Sequence, residues 1–183
     1  RIYGYPGDGI NGFLGALDRA DGHPELIQPR HEEMGAFMAG GHAKFTGEIG
    51  CCMATSGGGA IHLLNGLYDA KLDHQPVVAI VGQQKRFSLG AGFQQEIDPT
   101  LLFSDVSEFV QTCMHPAQAR QLVDRACKVA LSNRTVATII FPVDVQEEDA
   151  QPSPPRTHGA VYTSVGWVKP RVVPPEAELR KAA

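Results

Sequence analysis

Residues 76–81, Pro-Val-Val-Ala-Ile-Val, are apolar without a break and rich in β-branched side chains. A strand with no polar face has to be covered on both sides, and that requirement is met at the centre of a parallel sheet between two layers of helices. Shorter β-rich runs at 1–4, 25–28, 49–54 and 136–141 repeat the theme around it. Between them lie stretches of helical period. Phe13, Leu14, Ala16 and Leu17 mark one, residues 32–45 a second, Ala60, Leu63, Leu64 and Leu67 a third, and Ala119, Leu122, Val123, Ala126, Val129 and Ala130 a fourth. Strands alternating with helices predict an α/β, three-layer domain with a six-stranded mostly parallel sheet covered by helices on both faces.

The domain is expected to span residues 1–145. After it, Gln146-Glu147-Glu148-Asp149 and Gln151-Pro152-Ser153-Pro154-Pro155 read as an extended linker. Pro174-Pro175-Glu176 then reads as the opening of a helix, so residues 146–183 are expected to hold a linker and the truncated start of a middle domain. Arg1 falls inside a strand-like run and is not Met, which predicts a chain cut from a longer one.

Charge and cysteine usage narrow the function classes. A net charge of -4 with a pI near 6.0, and no cluster of Lys or Arg among aromatics, leaves no footprint for nucleic acid. Every apolar run is interrupted before the roughly 18 residues a bilayer helix needs, so no transmembrane segment is expected. Cys51 and Cys52 are adjacent while Cys113 and Cys127 stand apart. That pattern suggests no disulfide framework and predicts a reducing, cytoplasmic setting.

Three local patterns carry chemistry. Gly7-Asp8-Gly9-Ile10-Asn11-Gly12 has the G-x-G-x-x-G spacing of a dinucleotide turn. Pro6 interrupts the step from strand to turn, and Gln28-Pro29-Arg30 lacks the acid that would hold a ribose. A nucleotide-binding or non-catalytic interaction module using the Gly7–Gly12 turn therefore stands as the alternative reading. Second, Arg30-His31-Glu32-Glu33 opens a helix whose body is crowded with Gly and Ala; so many small residues predict close approach of another helix or a ligand. Third, Thr55-Ser56-Gly57-Gly58-Gly59 forms a flexible turn from strand to helix. No H-x-x-x-H spacing or G-x-S-x-G elbow occurs, and no metal ligand is expected within this chain.

Tyr5-Pro6-Gly7, Arg30-His31-Glu32-Glu33-x-Gly35-Ala36, Ala54-Thr55-Ser56-Gly57-x-Gly59, Asn65-Gly66-Leu67 and Phe93-Gln94-Gln95-Glu96 follow one another in the order seen in thiamine-diphosphate-dependent enzymes. Residues 2–145 resemble their N-terminal, pyrimidine-binding domain, in the pyruvate oxidase and acetolactate synthase branch. His62-Leu63-Leu64-Asn65-Gly66-Leu67-Tyr68-Asp69 is more similar to pyruvate oxidases. Gly58 stands where the family usually has proline, and Phe93-Gln94-Gln95-Glu96 carries one residue more than the family's Phe-Gln-Glu. Either Gln94 or Gln95 thus takes the family position.

The resemblance implies that Glu32 is the catalytic carboxylate, sharing a proton with N1′ of the aminopyrimidine ring and favouring the tautomer that takes the proton from the thiazolium. Such a carboxyl works best in a dry setting. Glu33, about 100° further round the helix, cannot face the same ring. By the same resemblance Pro6, Gly7, Thr55, Ser56, Gly58, Gly59, His62 and Asn65 line the cofactor, while Phe93, Gln94 and Gln95 line the substrate pocket. The implied reaction is decarboxylation of a 2-keto acid such as pyruvate by an enzyme of oxidase or acetolactate synthase type. Thiamine diphosphate is the implied cofactor, with FAD kept open. Mg²⁺ would be held by a diphosphate-binding domain from a neighbouring subunit, in a homodimer or homotetramer, and not by Asp8. The chain alone is expected to be inactive.

Overall fold

The structure is a computed structural model that describes residues 1–150, 168 and 173–183. Six strands form one sheet: β1 (Ile2–Gly4), β2 (Leu26–Ile27), β3 (Gly50–Ala54), β4 (Val77–Gln83), β5 (Phe109–Thr112) and β6 (Val136–Pro142). The sheet order is β2-β1-β3-β4-β6-β5, and every pairing is parallel. The expected six-stranded α/β domain is present, with a sheet that is wholly parallel. The strand that the reading of the sequence had not located is β5, at an edge, where Gln111 breaks the apolar run.

Among the described residues there are seven α-helices: α1 (Asn11–Arg19), α2 (Glu32–Thr46), α3 (Gly58–Leu72), α4 (Pro99–Phe103), α5 (Pro116–Asn133), α6 (Val143–Glu147) and α7 (Glu176–Ala182). Alternation along the central strands supplies both cores. Val77, Ala79 and Val81 of β4 join Ala36 and Ala39 of α2, Leu63 and Leu67 of α3, and Phe103 of α4. Val78 and Ile80 face the other way, onto Ala126 and Ala130 of α5, Val145 of α6, and Phe13, Leu14 and Leu17 of α1. A two-residue side-chain period thus builds three layers. The polar exception at β6 is satisfied: fully buried Thr138 meets the Ser107 hydroxyl at 2.8 Å.

The tight packing expected of α2 is against α3, β1 and β3. A Cβ on Gly66 would stand 2.6 Å from the Phe37 nitrogen and 2.7 Å from Ala36 Cβ, and one on Gly35 would stand 3.2 Å from the Tyr3 carbonyl oxygen. Small residues therefore bring two helices close enough for their N-terminal turns to share a site.

The packed unit runs a little beyond residue 145. The Gln146 amide donates to the carbonyls of Gly9 at 2.8 Å and Phe141 at 3.0 Å, and Arg86 reaches Asp144 at 2.8 Å and also Glu148. Helical closure by α6 accounts for this, where polar composition alone suggested linker. Residues 151–155 of that expected linker lie outside the described residues. The helix expected after Pro175 is α7. Among the described residues no helix is long and apolar enough to cross a membrane.

Candidate functional site

The chain runs from β1 to β2 on one side and then to β3 on the other side of β1. The sheet's connectivity therefore reverses at β1, and crevices beyond the carboxyl ends of strands at such a point accept ligands. Three segments converge there: residues 5–10 after β1, residues 28–32 after β2, and residues 55–59 after β3.

Glu32 opens α2 and is only 9% exposed although ionisable. Its Oε2 lies 3.1 Å from His62 Nδ1 on α3 and 3.9 Å from His31 Nε2. Oε1 faces the first turn of α3, where a Cβ on Gly59 would stand 3.1 Å from it and 2.7 Å from Thr55 Cγ2. Only glycine at 59 keeps that oxygen uncovered. One carboxylate oxygen is thus oriented by a histidine, and among the described residues the other has no hydrogen-bond partner. A ligand group that donates a hydrogen bond, a protonated ring nitrogen among them, would fit that position.

Glu33 has a different task. Its Oε1 accepts from Asn65 Nδ2 at 2.9 Å, while its backbone N–H donates to His31 Nδ1 at 3.3 Å as part of the helix cap. His62 and Asn65, three residues apart on one face of α3, hold one carboxylate each. Glu33 is thereby drawn away from Glu32, as the helical angle predicts.

The glycine turn after β1 is closed by the protein itself. The Gly9 N–H donates to buried Thr55 Oγ1 at 2.8 Å, and its carbonyl accepts from Gln146. A Cβ on Gly7 would lie 2.6 Å from Thr55 Cβ, and one on Gly12 would lie 2.5 Å from Gln146 Cβ. The three glycines fit protein neighbours, and the Gly9 amide that a pyrophosphate would use is already bonded. This counts against the nucleotide-turn alternative. Pro6 is exposed beside them. Gly58 is also exposed, and a Cβ there would meet nothing within 4 Å, so crowding does not explain the absence of proline.

Phe93, Gln94 and Gln95 line a cavity of about 350 Å³ together with Asp8, Gly9, Ser56 and Gln84. The Thr55–Gly59 turn joins cavity and carboxylate, since Ser56 borders the first and Gly59 the second. Gln95 sits against Gly57, where an added Cβ would be 2.6 Å from the Gln95 carbonyl oxygen, and both residues have left-handed backbone, with φ of 63° and 64°. Reading the sequence missed Gln83 and Gln84, and took Glu96 only as the end of the Phe93-Gln94-Gln95-Glu96 segment; all three hold this loop. Gln83 donates to the Ile97 carbonyl at 2.9 Å, and Gln84 donates to the Gln94 carbonyl at 2.8 Å and to Ser56 Oγ at 3.3 Å. The Glu96 carboxylate accepts from the backbone N–H groups of Gly90, at 2.5 Å, and Phe93, at 2.8 Å, and these bonds hold it below the usual glutamate range. The signal available was Gln83-Gln84 at the end of the most apolar strand, where polar residues leave the core at the edge of a site.

A family profile described as "Thiamine pyrophosphate enzyme, N-terminal TPP binding domain" matches residues 1–102. The protein YdaP of Bacillus subtilis is 38% identical over 179 residues, covering 98% of this chain and 30% of its own length. A pyruvate oxidase of Lactiplantibacillus plantarum is 38% identical over 145 residues, covering 79% of this chain and 24% of its own length. An acetolactate synthase of Arthrospira platensis is 37% identical over 148 residues, covering 79% of this chain and 26% of its own length. The chain thus spans under a third of the length of each of these relatives. The match takes in the turn after β1, Glu32 and the turn after β3, and on it the chain belongs to the thiamine-pyrophosphate-dependent enzymes, as their N-terminal cofactor-binding domain.

Proposed function

We propose that this domain supplies the cofactor-activating half of an enzyme that decarboxylates a 2-keto acid such as pyruvate, of the oxidase or acetolactate synthase type. The observation that carries the reading is the Glu32 carboxyl: nearly buried, oriented through one oxygen by His62, and uncovered at the other beside Gly59. Thiamine diphosphate, when bound, supplies the electron sink for the carbon that loses carbon dioxide.

Glu32 holds the proton shared with the aminopyrimidine N1′ at Oε1. His62 fixes the carboxyl in the rotamer that makes this transfer, and burial keeps water from competing for the proton. Thr55 and Gly59 shape the wall of the pyrimidine pocket, with Pro6, Gly7, Ser56, Gly58 and Asn65 around it. In the adjoining cavity Phe93 supplies an apolar cover, and the amide of Gln94 or Gln95 orients the substrate's carboxylate. Mg²⁺ and the diphosphate are held by a second domain from a neighbouring subunit, in a homodimer or homotetramer, with residues 146–183 leading toward a middle domain. FAD is kept open as a further cofactor of an oxidase-type reaction. The enzyme is cytoplasmic, and the isolated chain is inactive.

Glu32→Gln in the full-length protein tests the reading, because it keeps the shape and removes the proton-sharing group. Carbon dioxide release from pyruvate, with thiamine diphosphate and Mg²⁺ saturating, is expected to fall about 10²- to 10⁴-fold. Unchanged turnover would sink the assignment of Glu32.

A further inference from the structure

We propose that His31, Glu32 and His62 form a binding site for a divalent transition-metal ion, best matched to Zn²⁺, in the cofactor-free protein. One ligand atom from each residue lies within 4.8 Å of the other two. The separations from Glu32 Oε2 are 3.1 Å to His62 Nδ1 and 3.9 Å to His31 Nε2. In a tetrahedral zinc site with bonds of about 2.0–2.1 Å, ligand atoms stand roughly 3.3–3.4 Å apart. The two observed edges bracket that value. Closing the triangle needs only side-chain adjustment by the two imidazoles, whose side chains are 45% and 48% exposed.

The ligand set favours a borderline metal over Mg²⁺ or Ca²⁺. Two imidazoles and one carboxylate are the donors of three-ligand zinc sites that leave a fourth position to solvent. The imidazole rings lie with centroids 4.4 Å apart, and a nitrogen of each approaches the same Glu32 oxygen. A cation at the start of α2 meets the positive end of the helix dipole, but Glu32 and Glu33 both stand in the first turn and offset it. Ligation through His31 Nε2 leaves the ring proton on Nδ1, so the cap accepted from the Glu33 N–H at 3.3 Å is released. That bond is long, and its loss gives the site a signature at the Glu33 amide.

Linear spacing hides this site, because His62 is thirty residues from Glu32 in sequence and is brought close only by the small residues between α2 and α3. One further consequence rests on the proposed function. A zinc ion on Oε2 draws electron density from the carboxylate and makes Oε1 a poorer base for the aminopyrimidine proton, so Zn²⁺ and the cofactor weaken each other's binding.

The test is calorimetric titration of the chelator-stripped protein with Zn²⁺ alone. One ion per chain is expected. His62→Ala, His31→Ala and Glu32→Gln should each weaken affinity at least about tenfold, since even outer-shell changes cost that much at metal sites. His74→Asn, away from the cluster, should leave it unchanged. His62→Asn serves as a second variant that keeps a polar side chain, with circular dichroism reporting that each variant is folded. In wild type the Glu33 amide resonance should shift with zinc and not with Mg²⁺. Absence of one-to-one binding, or wild-type affinity in the His31→Ala or His62→Ala variant, would overturn the proposal. In the full-length protein, adding thiamine diphosphate with Mg²⁺ should raise the apparent zinc dissociation constant. Zinc binding that is lost in the variants yet indifferent to the cofactor supports the metal site and counts against the cofactor role of Glu32.

Discussion

Two helical glycines, Gly66 in α3 and Gly41 in α2, should respond to alanine with opposite sign. In an exposed helix interior the exchange gains about 0.8–1 kcal/mol from backbone entropy alone. A Cβ at Gly41 meets nothing within 4 Å, so that gain should appear undiminished. At Gly66 the new methyl group would stand 2.6 Å from the Phe37 nitrogen, 2.7 Å from Ala36 Cβ and 2.8 Å from the Ala36 carbonyl carbon. Two of those three atoms are backbone and cannot rotate aside, so the helices must part. Overpacking of this kind costs about 1–3 kcal/mol, and with rigid neighbours the upper part of that range applies. The net effect of Gly66→Ala is a loss of about 1–2 kcal/mol, or roughly 2–8 °C in Tm for a unit of this size. Gly41→Ala should raise Tm by about 2–4 °C. Thermal unfolding followed by circular dichroism, with urea titration for the free energies, measures both. Equal signs, or a Gly66→Ala variant as stable as wild type, would refute the claim that close packing and not propensity selects glycine at the α2–α3 contact.

Three other outcomes follow from particular bonds. Thr55→Val keeps the shape but leaves the buried Gly9 N–H without its acceptor, and should cost about 1–3 kcal/mol in urea unfolding, with Thr55→Ser close to wild type. Glu96 has a depressed folded-state pKa, caused first by the Gly90 N–H and then by that of Phe93. The bonds it makes are complete above the ordinary value of 4.5 and are lost as pH falls through the lower folded value, so protection of the Gly90 and Phe93 amides from exchange should drop there. Glu96→Gln should abolish that pH dependence, and its persistence in the variant would exclude Glu96 as the cause. Burial pushes the Cys51 thiol up to about 12 and that of Cys52 well up, so in the folded protein iodoacetamide at pH 8 should spare both while labelling them in urea.

The central layer was legible because covered strands have no choice of composition. Residues 77–81 lie within a strand buried along its whole length, and the helical periods of α1, α2, α3 and α5 record which face each turns to the sheet. β5 escaped because an edge strand of four residues with Gln111 exposed has little need to be apolar. Glu32 could be singled out from its place at a helix start inside a family-like run. Its neighbours could not: the approach of His62 depends on Gly66 meeting Ala36 across two helices, a distance that no spacing along the chain encodes. The glycines at 7, 9 and 12 looked like a phosphate cradle because a pyrophosphate and close protein neighbours, here Thr55 and Gln146, make the same demand for missing side chains. Gln83 and Gln84 left only the signal of polar residues closing an apolar strand and none of what they hold, because their partners are mainly carbonyl groups, which every residue carries.

That last feature bears on how the cavity can vary. The segment from Gly90 to Ile97 is held by Gln83 and Gln84 through the carbonyls of Ile97 and Gln94, and by Glu96 through the amides of Gly90 and Phe93. Three of its four attachment points are main-chain groups engaged by side chains outside the lining residues, and all four leave the identities of Phe93, Gln94 and Gln95 free. The four bonds form a main-chain clasp that seats the loop near the Gly57 turn without calling on the side chains that face the cavity.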